Sequence, residues 1–141
     1  MKKAFLAVAV AVGSMLLVGC TTTNQAVLGT TKSQVQLRSF QSRAYDTTDK
    51  GLVLRSVVST MQDLGFIIDK ADETLGSVSG TNYTHPVNKL TVTVRNNKEK
   101  KQIIVRANGQ VGVNAIENPK AYQNFFNALS QSLFLEAHNV E

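Results

Sequence analysis

His85, His138 and Cys20 are the only imidazole and thiol groups in this chain of 141 residues, so nucleophilic or acid–base chemistry would have to start from them. A hydrolytic triad needs a nucleophile, an imidazole base and an orienting carboxylate held together. His85 stands between Thr84 and Pro86, in loop-type sequence, and His138 lies three residues from the end, where a helix C-terminus favours a cationic ring. Neither histidine has the spacing of a metal ligand, and the acidic residues form no calcium loop. No glycine motif that cradles phosphate is present. The residue types therefore point away from an enzyme: no catalytic residue, no metal and no bound cofactor is expected. What remains is cationic surface. Lys98, Lys100 and Lys101 crowd into one short polar segment, and Arg95 and Arg106 flank it on either side. Such a group can touch anionic headgroups, glycan strands or an acidic partner; it can equally be a solvated turn whose charges discourage edge pairing.

Periodicity indicates the elements that must hold these groups. Residues 34–45 begin with alternating Val35 and Leu37 and contain no Pro or Gly, which reads as a strand; the alternation slips before Phe40, as a bulge would make it. Thr47, Thr48 and Asp49 offer an N-cap, and Leu54, Val57, Val58, Met61 and Leu64 then share one helical face. The helix is placed at 50–64, closed by Gly65 in a left-handed turn and by an apolar contact from Phe66. Residues 66–70 form a short strand, 72–74 a turn, and 75–83 a strand in which Gly80 lets a helix come close. Residues 84–88 form a loop.

Residues 89–95 and 102–108 give a hairpin. Leu90, Val92 and Val94 alternate with polar residues, and Ile103, Val105 and Ala107 alternate on the return. Pairing Val94 with Ile103, Val92 with Val105 and Leu90 with Ala107 puts every apolar residue on one face, leaving Arg95 and Arg106 on the wet one. Asn118 and Pro119 start a last helix, whose stripe Tyr122, Phe125, Phe126, Leu129, Leu133 and Phe134 supplies a large block of core. It ends near Ala137. The fold class is thus α+β: an antiparallel sheet of about five strands packed against two helices, in the order β-α-β-β-β-β-α.

The N-terminus carries an address. Lys2 and Lys3 precede an apolar run at 4–18, which is shorter than the roughly 20 residues of a spanning helix. Small residues follow, ending in Leu17-Val18-Gly19-Cys20. This tetrapeptide resembles the lipobox of bacterial lipoproteins. That resemblance implies cleavage between Gly19 and Cys20, with a diacylglycerol and an N-acyl chain on Cys20. Thr21 follows the cysteine where inner-membrane retention in enteric-type sorting mainly uses Asp, so the resemblance implies the outer membrane, on its periplasmic side. Residues 20–33 read as a lipidated tether able to reach roughly 40 Å at about 3.3 Å per residue. Residues 34–141 read as one domain. The mature chain keeps 13 basic and 10 acidic residues, a net charge of +3. Export argues against nucleic acid as a partner.

A second resemblance rests on Leu64-Gly65-Phe66 before a strand, the acidic turn at Asp72-Glu73, and Leu75-Gly76-Ser77-Val78. This order is similar to the helix-grip modules of the lipoprotein C subunit of the outer-membrane β-barrel assembly machinery. It also resembles small proteobacterial lipoproteins with a phrase like Gln41-Ser42-Arg43-Ala44-Tyr45-Asp46-Thr47. The likeness covers residues 37–108 and implies a fold more than an activity; the assembly subunit has two such modules and this chain has one. Two roles are expected from it: an interaction or assembly module among envelope proteins, or a carrier holding an apolar ligand between helix and sheet. The address carries its own test. Cys20→Ser is expected to release the chain from the membrane fraction, and intact-mass analysis of the wild type should show loss of residues 1–19 with acyl chains added.

Overall fold

The computed structural model describes residues 32–138. The leader, Gly19, Cys20 and most of the segment read as a tether lie outside the described residues. Lys32 and Ser33, the last two residues of that segment, already belong to the fold: Lys32 Nζ donates to the Glu117 carbonyl at 2.9 Å, and Ser33 caps a helix.

That helix, α1 (Gln34–Gln41), is the first correction to the sequence reading, which made 34–45 a single strand. Its cause is local. The Gln36 amide donates to the Ser33 hydroxyl while the Gln36 side chain accepts from the Ser33 amide, a capping box that satisfies both donors. Val35, whose alternation with Leu37 suggested the strand, is 76% exposed, whereas Leu37 and Gln41 are buried at helical spacing. The slip before Phe40 is this change of period, not a bulge. The strand that follows, β1 (Ser42–Tyr45), has only four residues.

Helix α2 (Lys50–Asp63) agrees with the reading at both ends. The Leu52 amide donates to the Asp49 carboxylate at 2.9 Å. At the other end Gly65, with φ +82°, donates to the Gln62 carbonyl, and Phe66 donates to the Met61 carbonyl, each at 2.9 Å. These two bonds make the Schellman ending. The chain continues through β2 (Ile67–Asp72), β3 (Ser77–Asn82), β4 (Asn88–Asn97), β5 (Gln102–Val111), the two-residue β6 (Asn114–Ala115) and α3 (Pro119–His138). All strand pairs are antiparallel. The order is β1-β5-β4-β3-β2, with β6 beside the far end of the same β5 edge that β1 occupies. The architecture is α+β, an antiparallel sheet against helices, with α1 the element beyond the expected two.

Strand limits and the hairpin register also move. Leu75 and Gly76 belong to the turn before β3. Gly76 has φ +69°, and a Cβ there would meet the Val94 carbonyl oxygen, so the chain must turn at this point; Leu75 is 72% exposed. The β4–β5 register differs by two residues from the predicted one: Val94 faces Val105, Val92 faces Ala107 and Leu90 faces Gly109. The loop is Lys98–Lys101, with Asn97 opposite Gln102 and Lys101 at φ +51°. A shift of two leaves every side chain on its predicted face, since strand periodicity is two.

Helices α2 and α3 cover one face of the sheet. Val53, Val57 and Met61 from α2, Val92 and Val94 from β4, Ile103 and Val105 from β5, and Phe126 and Leu129 from α3 are essentially buried completely. Gly80 faces this layer, because a Cβ there would come within 2.9 Å of Met61 Cε. Asn118 accepts from the Lys120 amide, with Pro119 opening α3 as read. Phe134, assigned to the buried stripe, is 61% exposed and stacks on His138 at 4.1 Å instead. No described helix is long and apolar enough to cross a membrane. Phe126→Ala is expected to cost about 3–5 kcal/mol, whereas Phe134→Ala should cost under about 1 kcal/mol; urea unfolding of the two variants checks the contrast.

Candidate functional site

The sheet face away from α2 and α3 carries the alternate residues of each strand: Ser77 and Ser79 on β3, Thr91, Thr93 and Arg95 on β4, Ile104, Arg106 and Asn108 on β5, and Ser42 on β1. It is polar, and no helix packs over its centre. Register fixes the neighbours of Arg106, which has Ser42 opposite it on one side and Thr93 on the other. Arg95 lies one pair further along, opposite Ile104, on the diagonal from Arg106, where long side chains still reach one another.

Arg38 comes from α1, which packs beside β5 and β1. The three guanidinium residues Arg38, Arg95 and Arg106 line a cavity of about 200 Å³ together with Ser42, Thr93 and Ile104. Arg106 is half-buried, and its Nε is covered without a hydrogen-bond partner among the described residues. Burial first, and then the charges of Arg38 and Arg95, hold its pKa below the ordinary arginine value. Arginine stays protonated at neutral pH nonetheless. Three like charges therefore share one small cavity.

The other basic residues of this half are placed differently. Arg43, on the helix-covered side, sits 5.0 Å from the centre of the Phe126 ring, and Lys32 sits 5.3 Å from that of Phe40, so both cations are occupied by aromatic faces. Lys98, Lys100 and Lys101 are exposed at the hairpin tip and do not line the cavity. Of the five basic residues singled out in the sequence, the structure brings Arg95 and Arg106 together and leaves the three lysines apart. It adds Arg38, Ser42 and Thr93. Arg38 went unseen because its segment read as a strand; the Ser33-x-x-Gln36 pattern was the signal for the helix that carries it.

His85 is exposed in its loop, and His138 Nδ1 lies 2.7 Å from the Phe134 carbonyl at the end of α3. Neither approaches the arginine cavity. Among the described residues no group of three His, Cys, Asp or Glu side chains is placed to hold a metal.

Tyr122, Phe125 and Phe126 bear on the carrier expectation, and all three are buried. The cavity beside Tyr122 and Phe125 measures about 220 Å³. A larger cleft of about 580 Å³ lies between α2 and the edge strand β2, lined by Leu54, Val58, Ala71 and Val78 but also by Arg55, Asp72 and Glu73.

No protein-family model matches the chain, and no curated protein matches it. The cavity itself has a consequence for stability. Screening weakens repulsion among exposed charges, so raising NaCl from about 0.01 to 0.5 M should raise the thermal midpoint of the wild type more than that of Arg38→Gln, by roughly 1–3 °C. Melts in a chloride series measure the difference.

Proposed function

We propose that the chain is a periplasmic lipoprotein, anchored to the outer membrane through Cys20, that serves as a non-enzymatic docking module within a cell-envelope complex. The observation that carries this reading is the one-sided sheet. Its apolar face is closed against α2 and α3, while its second face presents hydroxyls and the guanidiniums of Arg95 and Arg106, with Arg38 of α1 joining them at the margin. A surface of this kind suits a partner, because polar side chains already projecting from rigid strands need little ordering when something settles on them. The strand β2 borders the same face as the far edge of the sheet, with no further strand paired to it among the described residues. The envelope address rests on Leu17-Val18-Gly19-Cys20 and on the tether behind it.

The carrier reading draws on the cleft between α2 and β2, whose volume falls in the range of small-molecule sites. Its charged lining suits an apolar ligand poorly. The aromatic stripe that would have served such a ligand is committed to the core.

A photo-crosslinking residue at Thr91, exposed on the uncovered face, should give discrete protein adducts in intact envelopes, and one at Gln131, exposed on α3, should not. Adducts at Gln131 alone, or only lipid adducts at Thr91, would contradict the docking surface.

A further inference from the structure

We propose that the cavity between Arg38, Arg95 and Arg106 is a binding site for a phosphoryl oxyanion. Helix α1 and the hairpin strands β4 and β5, far along the chain from it, deliver one guanidinium each to the same 200 Å³ space. The charges that act on Arg106 from the described residues around it, those of Arg38 and Arg95, are both basic. Its covered Nε–H lacks an acceptor among the described residues as well. Holding three cations together without an anion is unfavourable, and the neighbouring cations Arg43 and Lys32 show the alternative, in which an aromatic ring takes up the charge.

The ligand class follows from charge and size. A carboxylate brings one negative charge and two oxygens, whereas a phosphate monoester brings close to two charges at neutral pH and three acceptor oxygens. Three planar forks match the second set better. The hydroxyl-bearing Ser42 and Thr93 flank Arg106 in register and supply further donors. A space of 200 Å³ is below the roughly 300 Å³ of drug-sized sites, yet it holds several times the roughly 30 Å³ of one water, which suits a single phosphoryl group. The same group can arrive as free phosphate or as the headgroup of a lipid. The site lies on the face assigned to docking, and its chemistry stands whether or not a protein settles there.

Thermal unfolding of the full chain in nonionic detergent tests the site, at equal ionic strength in chloride, acetate, inorganic phosphate and dihexanoyl phosphatidate. The expected result is a midpoint rise of roughly 5 °C at a ligand concentration about tenfold above its Kd, with acetate behaving as chloride does. A rise with both phosphates identifies the free anion as sufficient, and a rise with the phosphatidate alone identifies a lipid headgroup. Arg95→Gln and Arg106→Gln should abolish the rise, and Lys98→Gln, at the hairpin tip, should keep it. Should Arg106→Gln fail to fold, Arg38→Gln on the exposed surface of α1 provides the same comparison. No rise with either phosphate, an equal rise in every variant, or an equal rise in acetate would overturn the assignment. Crosslinks at Thr91 without any phosphate response would overturn this site and leave the docking surface standing.

Discussion

The Tyr122 hydroxyl is the point on which the arrangement of this fold depends. It is buried with its side chain, and a hydroxyl has one proton to give and two lone pairs to fill. All three are used: it donates to the Ile116 carbonyl at 2.7 Å, and it accepts from the Gly109 amide at 3.1 Å and from Gln41 Nε2 at 3.2 Å. One atom thus joins the end of α1, the end of β5, the segment after β6 and the first turn of α3. Leaving any of these groups unpaired in the interior would cost about 1–3 kcal/mol. Gly109 makes the junction possible. A Cβ there would come within 2.9 Å of Ile116 Cδ1, and Ile116 also donates its amide to the Gly109 carbonyl at 2.8 Å.

Docking α1 at this junction decides how charge is distributed around the sheet. Phe40 packs its ring 5.5 Å from that of Tyr122, and Leu37 is buried with it, so the flank of the short helix beside them carries Arg38 toward the uncovered face. On the covered side Tyr45 plays a matching part: its phenol lies 3.3 Å from Ser130 Oγ, and burial raises its pKa against the opposing effects of Ser130 and Arg43. The strand β1 is short, yet it is held from both sides. The product is a sheet with one dry face, which accounts for stability, and one polar face, where the guanidiniums of Arg38, Arg95 and Arg106 converge. That division is why the docking reading is preferred to a ligand buried under the helices.

Much of this was legible in the sequence wherever a local signal and the tertiary environment agreed. Asp49 at the start of α2 and Gly65-Phe66 at its end are local devices, and they act as written. The hairpin kept its faces although its register moved by two residues, because alternation specifies the side of the sheet and leaves the turn to decide the pairing. The failures have physical causes too. Residues 34–41 contain both an alternating pair, Val35 and Leu37, and a capping box, and the box prevailed because the helix it starts can bury Leu37 and Gln41 against α3. Gly76 sat in an apparently β-prone run, but its positive φ belongs to a turn. Phe134 continued the period of α3 past the core, and there it stacks on His138 with most of its surface exposed. The cavity was half legible: Arg95 and Arg106 follow from strand alternation, whereas Arg38 depends on recognising α1 and on the buried contact between Gln41 and Tyr122, 81 residues apart.

The most direct test of the account is amide hydrogen exchange on the full chain with Tyr122 replaced by Phe, which removes the hydroxyl and keeps the ring. The account predicts that the amides of α1 lose protection selectively, while those of β4 and of the centre of α2 retain theirs, because the hydroxyl is what fastens the first helix to the rest. Unchanged protection in α1 would show that its position is fixed by other means and would contradict the role given to this junction.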